Sequence, residues 1–109
     1  MKKGEIYLIN FEPALGAEIQ KVRLGIIIQS ETIDSKLITV MPISSKIELQ
    51  KEYDIFLKKD NQNRLFCDSV IRTSQISSFD KKRCIHFIGS VDTKTLRKVD
   101  IYLRIHFDL

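Results

Sequence analysis

Short apolar stretches, rich in β-branched and aromatic residues, recur along the chain as far as Ser90 and predict β-strands. The stretch at residues 4–11 stops before Pro13, which has no N–H to give to a sheet. Residues 24–29 are apolar without alternation, as in a strand that is buried on both faces. Further strands are predicted at residues 36–41, closed by Pro42, and at 53–57, 65–71 and 86–88, with a short one around Ile76. About five or six short strands at this spacing predict a small barrel or a strongly bent sheet.

The periodicity changes after Ser90 and predicts a terminal helix. Either Asp92 or Ser90 is a suitable N-cap, and about fourteen residues follow with apolar positions at helical spacing. These positions are Leu96, Val99, Leu103 and His106, with Ile101 and Ile105 widening the stripe. A single helical turn is also predicted at residues 79–83. The fold class is therefore α+β, mainly β, with the helix plugging or flanking the barrel.

The composition is that of one compact globular domain spanning residues 1–109. Of the 109 residues, 43% are hydrophobic and 29% are charged, which provides for one core and excludes a disordered chain. The formal net charge of +4 favours polyanionic partners without requiring them.

The cysteine, histidine and motif patterns exclude several kinds of site. Cys67 and Cys84 form no Cys-x-x-Cys pair and have no clustered histidines, so neither a metal site nor a disulfide framework is expected. No cofactor is expected either. Phosphate-loop, dinucleotide and hydrolase-elbow motifs are missing. His86 and His106 are expected to be half-buried structural residues. Without a secretory signal or a long apolar run, the expected compartment is the cytoplasm and no membrane contact is expected.

Two polar segments are candidates for chemistry. Residues 14–22 form a predicted loop that leads to Arg23, whose planar guanidinium suits a phosphate, and Glu18 in that loop could orient it or act as a base. A solvent-exposed ion pair is the alternative. Ser44 and Ser45 follow Pro42 in a segment, residues 42–46, that is predicted to face solvent. Their hydroxyls fit a phosphate oxygen, or simply a turn.

Several short blocks resemble, in order and spacing, the MazF/PemK (Kid-like) family of toxin endoribonucleases. The blocks are Gly4-Glu5-Ile6-Tyr7-Leu8, Phe11-x-Pro13, Gly16-x-Glu18, Arg23, Ile26-Ile27-Ile28, Ile43-Ser44-Ser45, Asp68-Ser69-Val70-Ile71 and Gln75-Ile76-x-x-x-Asp80-Lys81. They run from residue 4 to the terminal helix, so the resemblance covers nearly the whole chain.

The resemblance implies an SH3-like (CcdB/MazF-like) small barrel that forms a homodimer and acts as the toxin of a type II toxin–antitoxin system. Such toxins cut single-stranded RNA, including mRNA, at specific sequences and without a metal: the 2′-hydroxyl attacks the adjacent phosphate and leaves a cyclic phosphate and a 5′-hydroxyl. DNA lacks that nucleophile. The implied partners are RNA and a cognate antitoxin, whose acidic, initially disordered tail would occupy the basic groove, and with which the toxin forms a DNA-binding complex.

The resemblance also assigns roles to individual residues. Arg23 and Ser44 match the family's catalytic Arg and Thr, and Glu18 matches an acidic loop residue on which activity depends in some members. RNA contacts are implied for Gln20, Lys21, Ser45, Lys46, Arg72 and Gln75, of which Arg72 aligns with an Arg that does phosphate or acid chemistry in the Kid-like branch.

The sequence departs from that branch at the residues of its general base. Ala17 stands where the Kid-like branch has a His, and Ser74 where it has a catalytic Asp, so Glu18, Arg23 and Ser44 must carry more of the reaction.

Two alternatives keep the fold without the catalysis. One is a CcdB-like gyrase poison, although the chain has no Trp and lacks the Trp-Gly-Ile terminus of those proteins. The other is a non-catalytic protein that binds RNA or an antitoxin.

Overall fold

Seven strands and one terminal helix make up the computed structural model, which describes residues 1–12 and 21–109, apart from the side chains of residues 12 and 21. The strands are β1 (Glu5–Glu12), β2 (Lys21–Ile27), β3 (Leu37–Ser44), β4 (Ile55–Leu57), β5 (Ser69–Ile71), β6 (Ser77–Asp80) and β7 (Cys84–Ser90). The helix α1 spans Thr93–His106, and 3-10 turns cover Ile47–Leu49 and Lys81–Arg83. The mainly β class with a C-terminal helix is as predicted.

All strand pairings are antiparallel and they form one sheet in the order β4-β5-β3-β2-β1-β7, with β6 also on β3. Strand β3 is paired along both edges. One edge is bonded to β2, and the other is shared between β6, opposite Leu37–Val40, and β5, opposite Ile43 and Ser44.

The sheet buries apolar residues on both faces, which explains why residues 24–29 lack alternation. Ile26 and Ile27 are both fully buried, yet they belong to two different core clusters, because neighbouring residues of a strand point to opposite faces. The larger cluster also contains Val99 and Tyr102 of α1. The predicted burial of this strand is confirmed, and the helix packs on one face of the sheet.

The helix begins where the sequence predicts, but its apolar stripe is narrower. Asp92 is the N-cap, and its side chain accepts a hydrogen bond from the backbone N–H of Thr95. The expectation that Ile101 and Ile105 widen the buried stripe is wrong, since they are 59% and 54% exposed. At about 100° per residue they lie about 160° and 120° around the helix from Val99, on the side facing solvent.

Pro42 does not end the third strand, contrary to the prediction. It lies within β3, buried and opposite Gly25 of β2. Its missing N–H falls between the part of β3 that pairs with β6 and the part that pairs with β5, so no ladder donor is lost from either pairing. Pro42 and Ile43 are therefore core residues, and the predicted solvent-facing segment is reduced to Ser44, Ser45 and Lys46.

Other predicted boundaries shift for local reasons. The strand predicted at 65–71 begins only at Ser69, because Arg64 has a left-handed backbone (φ 57°) and residues 65–68 are irregular. The strand around Ile76 begins at Ser77. The helical turn predicted at 79–83 is confined to Lys81–Arg83, with Asp80 accepting a bond from the N–H of Lys82.

Candidate functional site

A cavity of about 570 Å³ lies at the ends of β2 and β3 and is closed by the segment before β5 and the turn after it. Its lining contains Arg23, Ser44, Ser45, Lys46, Arg72 and Gln75, which are six of the nine residues predicted to form the site. The volume is within the usual range for ligand sites. Of the other three, Glu18 and Gln20 lie outside the described residues, and Lys21 begins β2 with its side chain outside the description.

Arg23 and Ser44 are cross-strand neighbours in this cavity. The last residues paired between β2 and β3 are Leu24 and Ile43, and Arg23 and Ser44 are the next residues of the two strands, where both line the cavity. The prediction that Arg23 lies in a loop before the strand is wrong, because β2 begins two residues earlier and Arg23 pairs with Ile9 of β1. Its side chain is nevertheless exposed.

The hydroxyl of Ser44 has a defined local environment. Its Oγ accepts a 3.1 Å hydrogen bond from the backbone N–H of Lys46, which fixes the turn that follows β3. A hydroxyl has one proton and two lone pairs, and this bond uses a lone pair. The proton therefore remains for an acceptor such as a phosphate oxygen.

Arg72 braces the segment behind Ser44 rather than projecting freely into the cavity. Its guanidinium donates to the carbonyl oxygens of Leu49 (2.8 Å) and Lys46 (3.3 Å) and to a carboxylate oxygen of Asp54 (2.8 Å). The Arg72 and Asp54 side chains are only 11% and 3% exposed. Asp54 also accepts from the N–H of Lys51. Sequence reasoning missed Asp54, whose importance depends on this contact.

The turn after β5 brings Gln75 to the cavity. The N–H of Gln75 donates to the carbonyl of Arg72, and Thr73, fully buried, donates its hydroxyl to the carbonyl of Tyr53. Gln75 itself is exposed. The backbone that carries it is therefore fixed, while its amide faces solvent.

The charge of the cavity suits an anion. Arg23 and Lys46 contribute positive charge, while the charge of Arg72 is balanced by Asp54, and the lining, among the residues that the structure describes, contains no Asp or Glu. The described residues likewise hold no cluster of three or more His, Cys, Asp or Glu that could bind a metal ion.

Phe66 and Cys67 line the cavity as well and were not predicted to do so. Phe66 is 98% exposed and Cys67 is exposed and unpaired. The sequence gives no signal for this, since both residues lie in a stretch whose apolar composition predicts a strand. Cys84 is also a free thiol, but it lies in the smaller core region, and burial raises the pKa of the Cys84 thiol.

The histidines lie outside the cavity lining. The prediction that both are half-buried is wrong, since His86 on β7 and His106 at the end of α1 are both exposed. The Nδ1 of His106 is 2.9 Å from the hydroxyl of Tyr102, which places it in a helix-end contact.

No helix within residues 1–12 and 21–109 is long and apolar enough to cross a membrane.

Comparisons with known proteins bear on the family and the fold. The chain is 27% identical over its whole length to the endoribonuclease MazF9 of Mycobacterium tuberculosis, covering 98% of that protein. It is 30% identical to the endoribonuclease MazF of Staphylococcus saprophyticus, over 97% of this chain and 93% of the relative. A solved mycobacterial endoribonuclease in complex with its cognate antitoxin superimposes with a TM-score of 0.76 at 12% identity, over 100% of this chain and 96% of the other, which confirms the predicted fold class. Residues 2–107 match the model of the PemK-like, MazF-like toxins of type II toxin–antitoxin systems, and the chain belongs to that family.

Proposed function

We propose that this toxin is an endoribonuclease that cuts single-stranded RNA at specific sequences, using the RNA's own 2′-hydroxyl as nucleophile. The observation that carries the proposal is the placement of the Arg23 guanidinium and the Ser44 hydroxyl on opposite strands of one positively charged cavity. The endoribonuclease names of both relatives favour this activity over a gyrase poison or a non-catalytic binding protein.

The reaction needs only a few groups. The 2′-oxygen bonds to the adjacent phosphorus and loses its proton, while the bond to the 5′-oxygen breaks and that oxygen gains a proton. The products are a 2′,3′-cyclic phosphate and a 5′-hydroxyl. Because the nucleophile belongs to the substrate, no metal-activated water is required. The enzyme has to stabilise the additional charge on the phosphate oxygens and accept the 2′-hydroxyl proton, while water supplies the proton that the 5′-oxygen gains.

Arg23 and Ser44 are suited to the charge on the phosphate. The guanidinium remains protonated throughout the physiological pH range and presents two parallel N–H groups to two phosphate oxygens. The Ser44 hydroxyl, with its oxygen held by the N–H of Lys46, donates its proton to one of the same oxygens. Stabilisation of the transition state is thus the main role of both residues.

Glu18 is the proposed acceptor for the 2′-hydroxyl proton. This assignment rests on sequence, since Glu18 lies outside the described residues. A carboxylate is the appropriate group, because Ala17 and Ser74 cannot serve as bases where the Kid-like branch has His and Asp.

The remaining predicted residues bind the RNA or position those that do. Lys46 and Ser45 are exposed at the cavity and contact flanking phosphates, and Gln75 offers an amide to a base. Gln20 and Lys21 would extend this surface. Arg72 acts indirectly, since its bonds to Lys46, Leu49 and Asp54 hold the segment behind Ser44.

The proposed partners follow from the family. The protein acts in the cytoplasm as a homodimer, and its cognate antitoxin blocks it by laying an acidic segment over the positive cavity and folding on contact. The mycobacterial endoribonuclease solved with its cognate antitoxin provides the precedent. The toxin–antitoxin pair then binds DNA.

The test is cleavage of single-stranded RNA in EDTA, followed by sequencing of the 5′-hydroxyl ends. We expect cleavage at a short recurring sequence, with no cleavage of the matching single-stranded DNA. Since contaminating ribonucleases leave the same ends, the Arg23→Ala variant is purified in parallel and should leave the RNA intact. RNA that stays intact with the wild-type protein across many sequences contradicts the proposal.

A further inference from the structure

The aromatic side chain of Phe66 is not buried when the chain folds. It is 98% exposed, although it lines the cavity that contains Arg23 and Ser44. An apolar ring left in water contributes almost no hydrophobic free energy to the folded state. Its position therefore needs an explanation other than packing.

The backbone that presents Phe66 is held on its N-terminal side. The preceding residue, Leu65, is 7% exposed and belongs to the main core. Asn63 is 2% exposed, and its Oδ1 accepts from the N–H groups of Asp60 (3.0 Å) and Leu65 (3.1 Å) while its Nδ2 donates to the carbonyl of Lys58 (2.8 Å). The ring is thus exposed on an ordered support.

The same loop packs closely against β7, and a hydrogen bond fixes it on its C-terminal side. A Cβ on Gly89 would come within 2.5 Å of the carbonyl oxygen of Gln62, so the backbones meet where only glycine fits. The N–H of Ser90 donates to that same oxygen. Beyond Phe66, a carboxylate oxygen of Asp68 accepts from the N–H of Lys59 at 2.9 Å. The support of the ring is preorganised, which lowers the entropy lost when a ligand binds.

The surroundings of Phe66 match a nucleotide. Arg23 and Lys46 supply positive charge for a phosphate in the same cavity, and an aromatic face beside them suits the base attached to it. Stacking of unpaired bases on exposed aromatic rings is the usual way in which proteins hold single strands, and it tolerates any base because every base has a π-face.

We propose that Phe66 is a stacking platform for an unpaired base next to the phosphate held by Arg23 and Ser44. The proposal rests on the proposed ribonuclease function, and it assigns Phe66 to substrate binding rather than to the reacting atoms. Loss of the ring should therefore raise the KM and leave kcat largely unchanged.

The experiment compares Phe66→Ala, Phe66→Leu and Phe66→Trp, with Phe107→Ala as the matched control because Phe107 is 57% exposed and lies outside the cavity lining. Kinetics are measured on a short RNA that contains a mapped cleavage site. Affinity is measured separately on a randomised single-stranded pool with 2′-O-methyl riboses, which lacks the nucleophile.

Stacking predicts a rise in both KM and Kd of about tenfold for the alanine and leucine variants, with the tryptophan variant and Phe107→Ala close to wild type. Unchanged RNA affinity in Phe66→Ala, or full recovery with leucine, overturns the proposal. So does a loss of antitoxin binding with RNA binding intact, which would place the ring in a protein interface. If the wild-type protein cuts no RNA, the ribonuclease proposal fails, while the affinity of the unreactive pool still decides the role of Phe66.

Discussion

Arg23 and Ser44 line one cavity, each one position beyond Leu24 and Ile43, the last paired residues of β2 and β3. Residues at matching positions of adjacent antiparallel strands have Cβ atoms about 5 Å apart, a spacing that allows a guanidinium and a hydroxyl to bind one phosphate, as the proposed mechanism requires. Both residues belong to strands of the sheet, whose pairing holds their backbones in place.

The first prediction concerns the guanidinium. Arg23→Ala should lower kcat by about 100- to 1,000-fold, the usual effect of removing one donor that stabilises a transition-state oxyanion. Arg23→Lys should be intermediate, because it keeps the charge and loses the two-pronged donor geometry. Thermal unfolding should change little, since the side chain is exposed. The control is Arg97→Ala, which removes an exposed arginine from α1, and an Arg23→Ala enzyme as active as that control would remove Arg23 from the mechanism.

The second prediction separates the chemistry of Ser44 from its role in the turn. Ser44→Ala should reduce kcat at least about tenfold through loss of the donated hydroxyl, and Ser44→Thr should restore most of it. The control is Ser35→Ala, because the Ser35 hydroxyl accepts from the N–H of Leu37 at 3.1 Å, the same kind of bond that Ser44 accepts from Lys46. Equal losses in the two alanine variants would show that the lost turn bond accounts for the effect, and no recovery with threonine would contradict the role given to the hydroxyl.

The third prediction concerns the Arg72–Asp54 pair. Removing either partner leaves the other one charged and unpaired, although its side chain is at most 11% exposed. An unpaired buried charge typically costs about 3–5 kcal/mol of unfolding free energy. The double alanine variant should lose less unfolding free energy than the two single variants lose together, because the two residues interact directly. Chemical denaturation measures both.

Asp100→Ala provides the matched comparison for that pair. This variant breaks the ion pair between Lys3 and Asp100, in which the two side chains are 32% and 49% exposed. It should lower the unfolding free energy by at most about 1 kcal/mol. Equal losses for Asp54→Ala and Asp100→Ala would contradict the structural role assigned to Arg72.

The fourth prediction is a pH dependence at the start of α1. The hydrogen bond from the N–H of Thr95, aided by Lys94 and Lys98, holds the pKa of Asp92 below its ordinary value. The charged side chain therefore stabilises the folded state at pH values above the unfolded pKa, and this contribution is lost as the pH falls through the folded pKa.

Asp92→Asn should keep the cap at neutral pH, because Asn is as good an N-cap as Asp, and should lack this acid sensitivity. Asp92→Ala should lose the cap at every pH. Urea unfolding of the three proteins across the acid range measures the difference. Parallel stability curves for the wild-type protein and Asp92→Asn would show that the carboxylate charge makes no contribution.

Local patterns were sufficient to predict much of the fold. The first strand, the doubly buried Ile26 and Ile27 and the Asp92 cap each depend on residue types within a few positions, and each is confirmed. The errors have a different origin. Pro42 lies in a strand because that strand exchanges partners beside it, and a change of partner between segments distant in sequence leaves no local trace.

The site shows the same division. Arg23 and Ser44 were selected by residue type and by resemblance, but their opposition depends on the register between β2 and β3. Asp54 gains its importance only from a contact with Arg72, eighteen positions away in the chain. Phe66 is exposed on a loop that Asn63 and Leu65 anchor, where apolar composition alone predicted a strand.

The double pairing of β3 has a consequence for control of the toxin. A strand bonded along both edges does not detach without disrupting the sheet, so the Ser44 end of the cavity stays assembled for as long as the protein is folded. A local rearrangement of β3 is therefore not a means of switching off the part of the site that this strand carries. Inhibition would then require a partner that covers the cavity, as proposed for the antitoxin, and would last only as long as that partner stays bound.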